Sequence, residues 1–361
     1  MEIDASQPAP LFTPFTLRSV TLRNRIGVSP MCQYSAQDGF ANEWHLVHYG
    51  SRAVGGAGLV IVEATAVAPD GRITPGCLGL WSQDHVAPLA RIAAFMKSHG
   101  AVPGLQIGHA GRKASANVHW RGSAHLATAD GGWETIAPSA IPFGDHLPKV
   151  PRAMTEADIA RVREDFVSTA QRALAAGYEW LELHAAHGYL FSQFLSPFVN
   201  YRTDRYGGSF ENRVRFLVET TRAVRAVWPN HLPLTVRISV VDWKEGGWNQ
   251  EQSVALARLL KAEGVDLMDC SSGGVVSDAT VPVAPGYQVP FAERIRREAG
   301  MATAAVGLIT EPKQADDIVR NGQAEVVLLG RRELLDPYWP AHAAKVLGQP
   351  LPLPNQYARA S

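Results

Sequence analysis

His184, His187 and Tyr189 stand close together just after the apolar run Trp180-Leu-Glu-Leu. Two imidazoles and a phenol at the end of a buried strand form a cluster that can donate hydrogen bonds and a proton. Other reactive or cofactor-binding types fall at comparable places. They are Ser29-Pro30-Met31-Cys32-Gln33-Tyr34, Gln106, Arg237, Gly307 and Gly330-Arg331, each inside or just past an apolar run. Gly beside Arg after late strands suits a phosphate, because bare amides and a guanidinium can converge on its oxygens.

Each group also has a plainer reading. A Gly-Arg pair is often an ordinary turn with a surface arginine, and Ser29-Pro30 can be no more than a strand terminus. Arg237 inside an apolar strand needs a partner, and a structural carboxylate would serve. Cys32 can be a small buried hydrophobe, and Tyr34 and Tyr189 packed aromatics. His184 and His187 lack a nearby third ligand, so no metal site is expected. His45 and His48, in what reads as the first helix, are expected to be structural or surface residues, and His109 and Arg112 to brace a loop.

The elements that would position these groups follow from periodicity. Apolar runs at Arg25–Met31, Gly58–Ala64, Val102–His109, Trp180–Ala186, Leu234–Ser239, Leu267–Ser272, Thr303–Leu308 and Glu325–Arg331 read as parallel strands covered on both faces. Helical patterns lie between them, clearest at Thr155–Ala176, Ser209–Trp228, Gln250–Glu263 and Glu311–Asn321. Thr155-Glu156-Ala157-Asp158 fits a capping box, Thr310 precedes Glu311-Pro312 at a first turn, and Ala176-Gly177 and Glu263-Gly264 are stops. Eight such units predict an α/β fold, a (β/α)8 TIM barrel in one domain over 1–361. Residues 110–154 break the rhythm with Gly, Pro, Ser and His, and are expected to form a capping insertion after the third strand. Residues 349–361 form a Pro-rich tail that is either loose or docked.

Bulk properties fit a globular chain with ample core-forming material. The chain has 361 residues, 46% of them apolar, and 34 basic against 34 acidic side chains. With no basic stripe, neither nucleic acid nor a membrane surface is an expected partner. The apolar segment Gly58 to Ala68 is broken by Glu63 and too short to span a bilayer. No secretory leader or Asn-x-Ser/Thr sequon is visible, and three scattered cysteines make no disulfide framework, so a cytoplasmic protein is expected.

Ser29-Pro-Met-Cys-Gln-Tyr34, Glu63-Ala-Thr65, Gln106-Ile-Gly-His-Ala-Gly-Arg-Lys113, His184-Ala-Ala-His-Gly-Tyr189, Phe194–Arg213 and Leu329-Gly-Arg331 occur in that order. Together they resemble the Old Yellow Enzyme family of flavin-dependent ene-reductases. The resemblance is strongest to its bacterial branch with a cysteine near the flavin, which includes xenobiotic reductase A. It runs from about Leu11 to Arg359. It implies non-covalent FMN, NADPH or NADH as reductant, and electron-poor alkenes as substrates.

Carried over by position, the resemblance implies that Ser29, Pro30, Met31 and Ala64 line the isoalloxazine edge. Gln106 and Arg237 would hold its pyrimidine end, Gly307, Gly330 and Arg331 its phosphate, and Cys32 would tune its potential. His184 and His187 would hold the substrate carbonyl oxygen, Tyr34 would seat the substrate, and Tyr189 would be the proton donor. Gln356-Tyr357-Ala358-Arg359 resembles a segment that enters the neighbouring subunit's site, implying a homodimer or a tetramer of dimers with Arg359 shared. Here Ala360-Ser361 replaces the Gly-Trp ending of that branch, and Arg332 adds a second arginine with no assigned role. The eukaryotic branch, with threonine at position 32 and asparagine at 187, fits less well. The competing readings are a flavin-free phosphate-binding isomerase or aldolase, for which no strand-end lysine is offered, and a non-catalytic nucleotide-binding barrel.

Overall fold

The computed structural model describes residues 9–351, 353–357 and 359. Eight parallel strands close into a barrel in chain order: β1 Ile26–Val28, β2 Leu59–Ala66, β3 Val102–Gly108, β4 Trp180–Ala185, β5 Leu234–Ser239, β6 Leu267–Ser271, β7 Ala302–Ala305 and β8 Val326–Leu329. The ring closes where Val327 of β8 pairs with Ile26 of β1. Around it run α1 Glu43–Val54, α2 Val86–Ser98, α3 Glu156–Ala175, the short α4 Leu190–Leu195, α5 Phe210–Val227, α6 Gln250–Ala262, α7 Val289–Ala299 and α8 Pro312–Arg320. Two more, α9 Arg331–Leu335 and α10 Trp339–Val346, complete the chain's helices among the described residues. An antiparallel hairpin, Phe15–Leu17 with Val20–Leu22, precedes the barrel.

All eight strands read from apolar runs are present, and the strands are buried along their length except at Ala64 and Ala302. The capping box is formed: Thr155 Oγ1 accepts from Asp158 N–H, and Asp158 accepts from Thr155 N–H at 2.8 Å. Ser209 caps α5 through its side chain, which accepts from Asn212 N–H. One expectation shifts, since α8 is capped by Glu311 with Thr310 outside it. The segment from 110 to 154 contains no α-helix, only single turns and a two-residue parallel pair, Ile136–Ala137 with Arg152–Ala153.

Inter-strand register decides which polar side chains meet inside the ring. Gln106 stands opposite Glu182, Glu182 opposite Thr235, His184 opposite Arg237, and Arg237 opposite Asp269. These positions alternate along each strand with residues that pack on the helices, so all six point to the barrel interior. A register shift between Val62 and Thr65 marks a bulge in β2, and such bulges re-aim side chains beside sites. Beneath the β4–α4 connection, Phe166, Phe191, Phe194 and Phe216 pack with ring centroids 4.8–4.9 Å apart. Each such pair adds about 0.5–1.5 kcal/mol beyond its buried area. That cluster anchors α4, and with it Tyr189 at the helix's N-cap.

Candidate active site

The turn from β4 into α4 is held in an unusual conformation. His187 has φ 60°, and Gly188 follows at φ 72°. A Cβ on Gly188 would lie 2.0 Å from the Gly274 carbonyl oxygen, so only glycine permits this approach. His187 N–H donates to Ser239 Oγ at 2.8 Å, and Leu190 N–H to the His109 carbonyl at 2.9 Å. The result gathers three aromatic side chains. The His184 ring meets Tyr189 and His187 edge-on, with centroids 4.9 and 5.1 Å apart. His184 is buried, while His187 and Tyr189 keep part of their surface open.

The hydrogen bonds assign the imidazole protons. Ala186 N–H donates to His184 Nδ1 at 3.2 Å, leaving the proton on Nε2. That nitrogen faces His187 Nδ1 at 3.4 Å, and His187 Nε2 lies 2.7 Å from Ser271 Oγ. Burial first, then the Arg237 cation, push both imidazoles well below the ordinary histidine range. Both are therefore neutral at physiological pH. Burial pushes the phenols of Tyr189 and Tyr34 upward, with Cys32 the next contributor to each, so both keep their protons. The half-buried Cys32 is also held as a thiol, by burial and then by Cys77 and Glu63.

Below the histidines lies a charged floor. Arg237 Nη1 donates to Ser29 Oγ at 3.0 Å, and its Nε is 3.2 Å from Asp269 Oδ2. The latter contact is ionic and misaligned for a hydrogen bond: Arg237 Nε and both Asp269 oxygens have no hydrogen-bond partner. The structural carboxylate anticipated for Arg237 thus exists, while the guanidinium still reaches the site. Gln106 Nε2 donates to Glu182 Oε1 at 2.9 Å. Burial raises the Glu182 carboxyl, Asp269 raises it further, and Arg237 opposes both.

A cavity of about 300 Å³ joins His187 and Arg237 at one end to Gly307, Gly330, Arg331 and Arg332 at the other. Gly307 has φ 118°, and a Cβ there would press within 2.7 Å of Gln288 Nε2 on the cavity wall. Met31 packs beside Gly330, its Sδ 3.6 Å from where a Cβ would stand. Ser29 N–H donates to the Leu329 carbonyl at 2.9 Å. Ala64, at the β2 bulge, shares a smaller void with His184 and Tyr189. Cys32 and Tyr34 lie on the half-exposed stretch 30–36, with Tyr34 6.1 Å from the Trp120 ring of the long segment after β3. The structure therefore brings together most of the residues singled out from the sequence. Arg359 is exposed in the tail and lines no part of this cavity.

The plainer readings hold elsewhere. His45 and His48 are buried in α1, and His45 caps that helix through Nδ1. Arg112 braces the long segment by donating to the Ile141, Pro142 and Val275 backbone. No third ligand joins His184 and His187 in a metal-holding group among the described residues. Sequence reasoning missed Asp269 and Glu182, whose only signal was a carboxylate inside an apolar run. It also missed Ser271, Ser272 and Gln288, linked by Ser272 Oγ donating to Gln288 Oε1 at 2.6 Å. Lys113, in the turn beyond β3 and not on a strand end, is the further omission: its Nζ donates to the His187 carbonyl at 2.9 Å.

FMN offers a phosphate at one end and a polar ring edge at the other. The cavity matches that polarity: Arg332, whose buried Nε makes no hydrogen bond, lies with Gly307 and Gly330 at one end, and the Arg237 guanidinium lies at the other. A parallel barrel with this strand-end cavity has the form of a barrel that binds a phosphate-bearing ligand. Residues 10–349 match the NADH:flavin oxidoreductase / NADH oxidase family. The chain is 51% identical over 351 residues to an NADPH dehydrogenase of Geobacillus sp. (strain WCH70), covering 97% of this chain and 98% of that protein. It is 47% identical to the NADPH dehydrogenase of Bacillus velezensis, with the same coverage. Morphinone reductase in complex with tetrahydroNAD superposes with TM-score 0.78 at 28% identity, covering 97% of this chain and 93% of that one. An old yellow enzyme homologue from Zymomonas mobilis gives TM-score 0.78 at 25% identity, covering 95% and 94%. The chain belongs to the NADH:flavin oxidoreductase / NADH oxidase family, the Old Yellow Enzyme group. It is an FMN-dependent oxidoreductase that uses NAD(P)H as reductant. Among the described residues no helix is long and apolar enough to cross a membrane.

Proposed function

We propose that this oxidoreductase is an ene-reductase, reducing the activated C=C bond of enones and related electron-poor alkenes. The observation that carries the reading is the cluster of two neutral imidazoles with a protonated phenol, His184, His187 and Tyr189, above Arg237. When bound, FMN would supply the hydride chemistry, with NAD(P)H as its reductant. Ser29, Pro30, Met31, Ala64, Gln106 and Arg237 would hold its ring, with Cys32 beside it, and Gly307, Gly330 and Arg331 its phosphate.

His184 and His187 then bind the substrate's carbonyl or nitro oxygen, where negative charge collects. In the free site their mutual link is a long 3.4 Å, a weak bond for the substrate oxygen to replace. Each well-aimed donor lowers the barrier by roughly 3 kcal/mol. Tyr34 seats the substrate, and Tyr189 protonates the α-carbon. Residues 110–154 would cap the mouth, and Arg359 would act on the site of a neighbouring subunit in a homodimer or a tetramer of dimers.

The test is spectroscopic. The flavin band of the purified protein should bleach with NADPH and recover on adding cyclohexenone. Tyr189→Phe should slow that recovery about 10²- to 10⁴-fold while sparing the bleaching. A protein that shows no visible band after reconstitution with FMN, or a recovery indifferent to Tyr189→Phe, overturns the reading.

A further inference from the structure

The steps just described make no use of Lys113. It ends the single turn Gly111–Lys113 that follows β3. Its ammonium donates to the carbonyls of His187, at 2.9 Å, and Gly274, at 3.1 Å. The same nitrogen lies 5.2 Å from the centroid of the Tyr189 ring and 4.7 Å from that of Phe143. No carboxylate pairs with it among the described residues. The titratable and charged groups that face it are Arg112 on its own turn and His184, His187 and Tyr189 from the β4–α4 connection. The loop after β6 offers it only the Gly274 carbonyl, and the long segment only the Phe143 ring.

A crowded ammonium without an anion is costly unless a negative charge forms beside it. Here the group placed to become negative is the phenol of Tyr189. We infer that Lys113 is a positioning residue for the protonation step: its ammonium, held near the Tyr189 ring by the His187 and Gly274 carbonyls, stabilises the phenolate left on Tyr189. The inference rests on the ene-reductase reading. In that step the Tyr189 O–H bond breaks and its electron pair stays on the phenol oxygen. The enolate pair forms the new C–H bond at the α-carbon, and water returns a proton to Tyr189 before the next turnover.

Burial first, and then Arg112, bring the Lys113 ammonium down to about 8. It is charged below that value and neutral above it, so the step it assists slows as pH rises through about 8. Neither imidazole titrates near that window, and Arg112, lowered to about 10 by burial, stays charged through it. Glu63, behind Cys32, is raised to about 7 by burial, and any contribution from it survives removal of Lys113.

The experiment follows reoxidation of NADPH-reduced holoenzyme by cyclohexenone from about pH 6 to about pH 10. In Lys113→Met the rate at neutral pH should fall roughly 10- to 100-fold, the scale of a partly screened cation near a developing charge. The limb near pH 8 should vanish, while flavin reduction by NADPH keeps its rate. Lys113→Arg, always charged, should hold the fast rate across the range. On a Tyr189→Phe background, Lys113→Met should do nothing further. A Lys113→Met protein that keeps the limb, slows both half-reactions alike, or adds its full effect to Tyr189→Phe overturns the inference. If Tyr189→Phe alone reoxidises at the wild-type rate, the assignment of the acid has failed instead, a result separable from any behaviour of Lys113.

Discussion

Arg237→Met should be the most informative single change at the barrel floor. Asp269 is fully buried, its oxygens accept no hydrogen bond, and its ionic partner is Arg237 Nε at 3.2 Å. At an effective dielectric of 20 that separation corresponds to about 5 kcal/mol. Breaking a buried pair from one side typically costs about 3–5 kcal/mol, so the two figures agree. The loss depends on pH, and its sign follows from linkage. Burial already raises the Asp269 carboxyl, with Arg237 opposing, so removing the arginine raises it further. The folded variant then holds a proton that the unfolded chain, with an ordinary value of about 3.9, releases. Stability of Arg237→Met should therefore fall as pH climbs above about 4, by up to about 1.4 kcal/mol per unit until the folded carboxyl ionises. Urea unfolding of the FMN-free protein at about pH 5 and about pH 8 reads this directly, the deficit being larger at the higher value. Adding Asp269→Asn should restore much of the loss and flatten its pH dependence. An equal deficit at both values, or no rescue, would refute the charge argument and leave packing as the cause.

Two further outcomes are expected. Glu63 accepts from Gln33 N–H at 2.8 Å and from Tyr49 Oη at 3.0 Å, yet burial still pushes it up to about 7. Its folded value exceeds the unfolded one of about 4.3, so its ionisation erodes stability by about 4 kcal/mol as pH rises through that interval. The difference in unfolding free energy between Glu63→Gln and the parent should grow over that range in the variant's favour; a constant difference would count against this. Gly188→Ala forces a Cβ onto the Gly274 carbonyl and should cost on the order of 3–5 kcal/mol. Gly177→Ala has a similar φ of 83° with open space around it and should cost only about 1–2 kcal/mol. Thermal unfolding compares the two, and equal losses would mean that the backbone approach at Gly188 is unimportant.

What the sequence determined by itself is what lies close along the chain. The eight apolar runs set the strands, and Thr155 and Ser209 set the starts of their helices. His184, His187 and Tyr189 lie close along the chain where β4 gives way to α4, so their gathering needs little beyond a strand that ends there. The tertiary structure decided the pairings between distant segments. Arg237 found Asp269, and Gln106 found Glu182, because closure of the ring fixes how neighbouring strands are staggered. A carboxylate inside an apolar run announces that it needs a partner without naming it. Lys113 was silent for the same reason: its role comes from two carbonyls on other loops, His187 and Gly274, which meet because glycines let their backbones touch. Local propensity carries no information about that contact; only the folded stagger of strand ends and the absence of a Cβ create it.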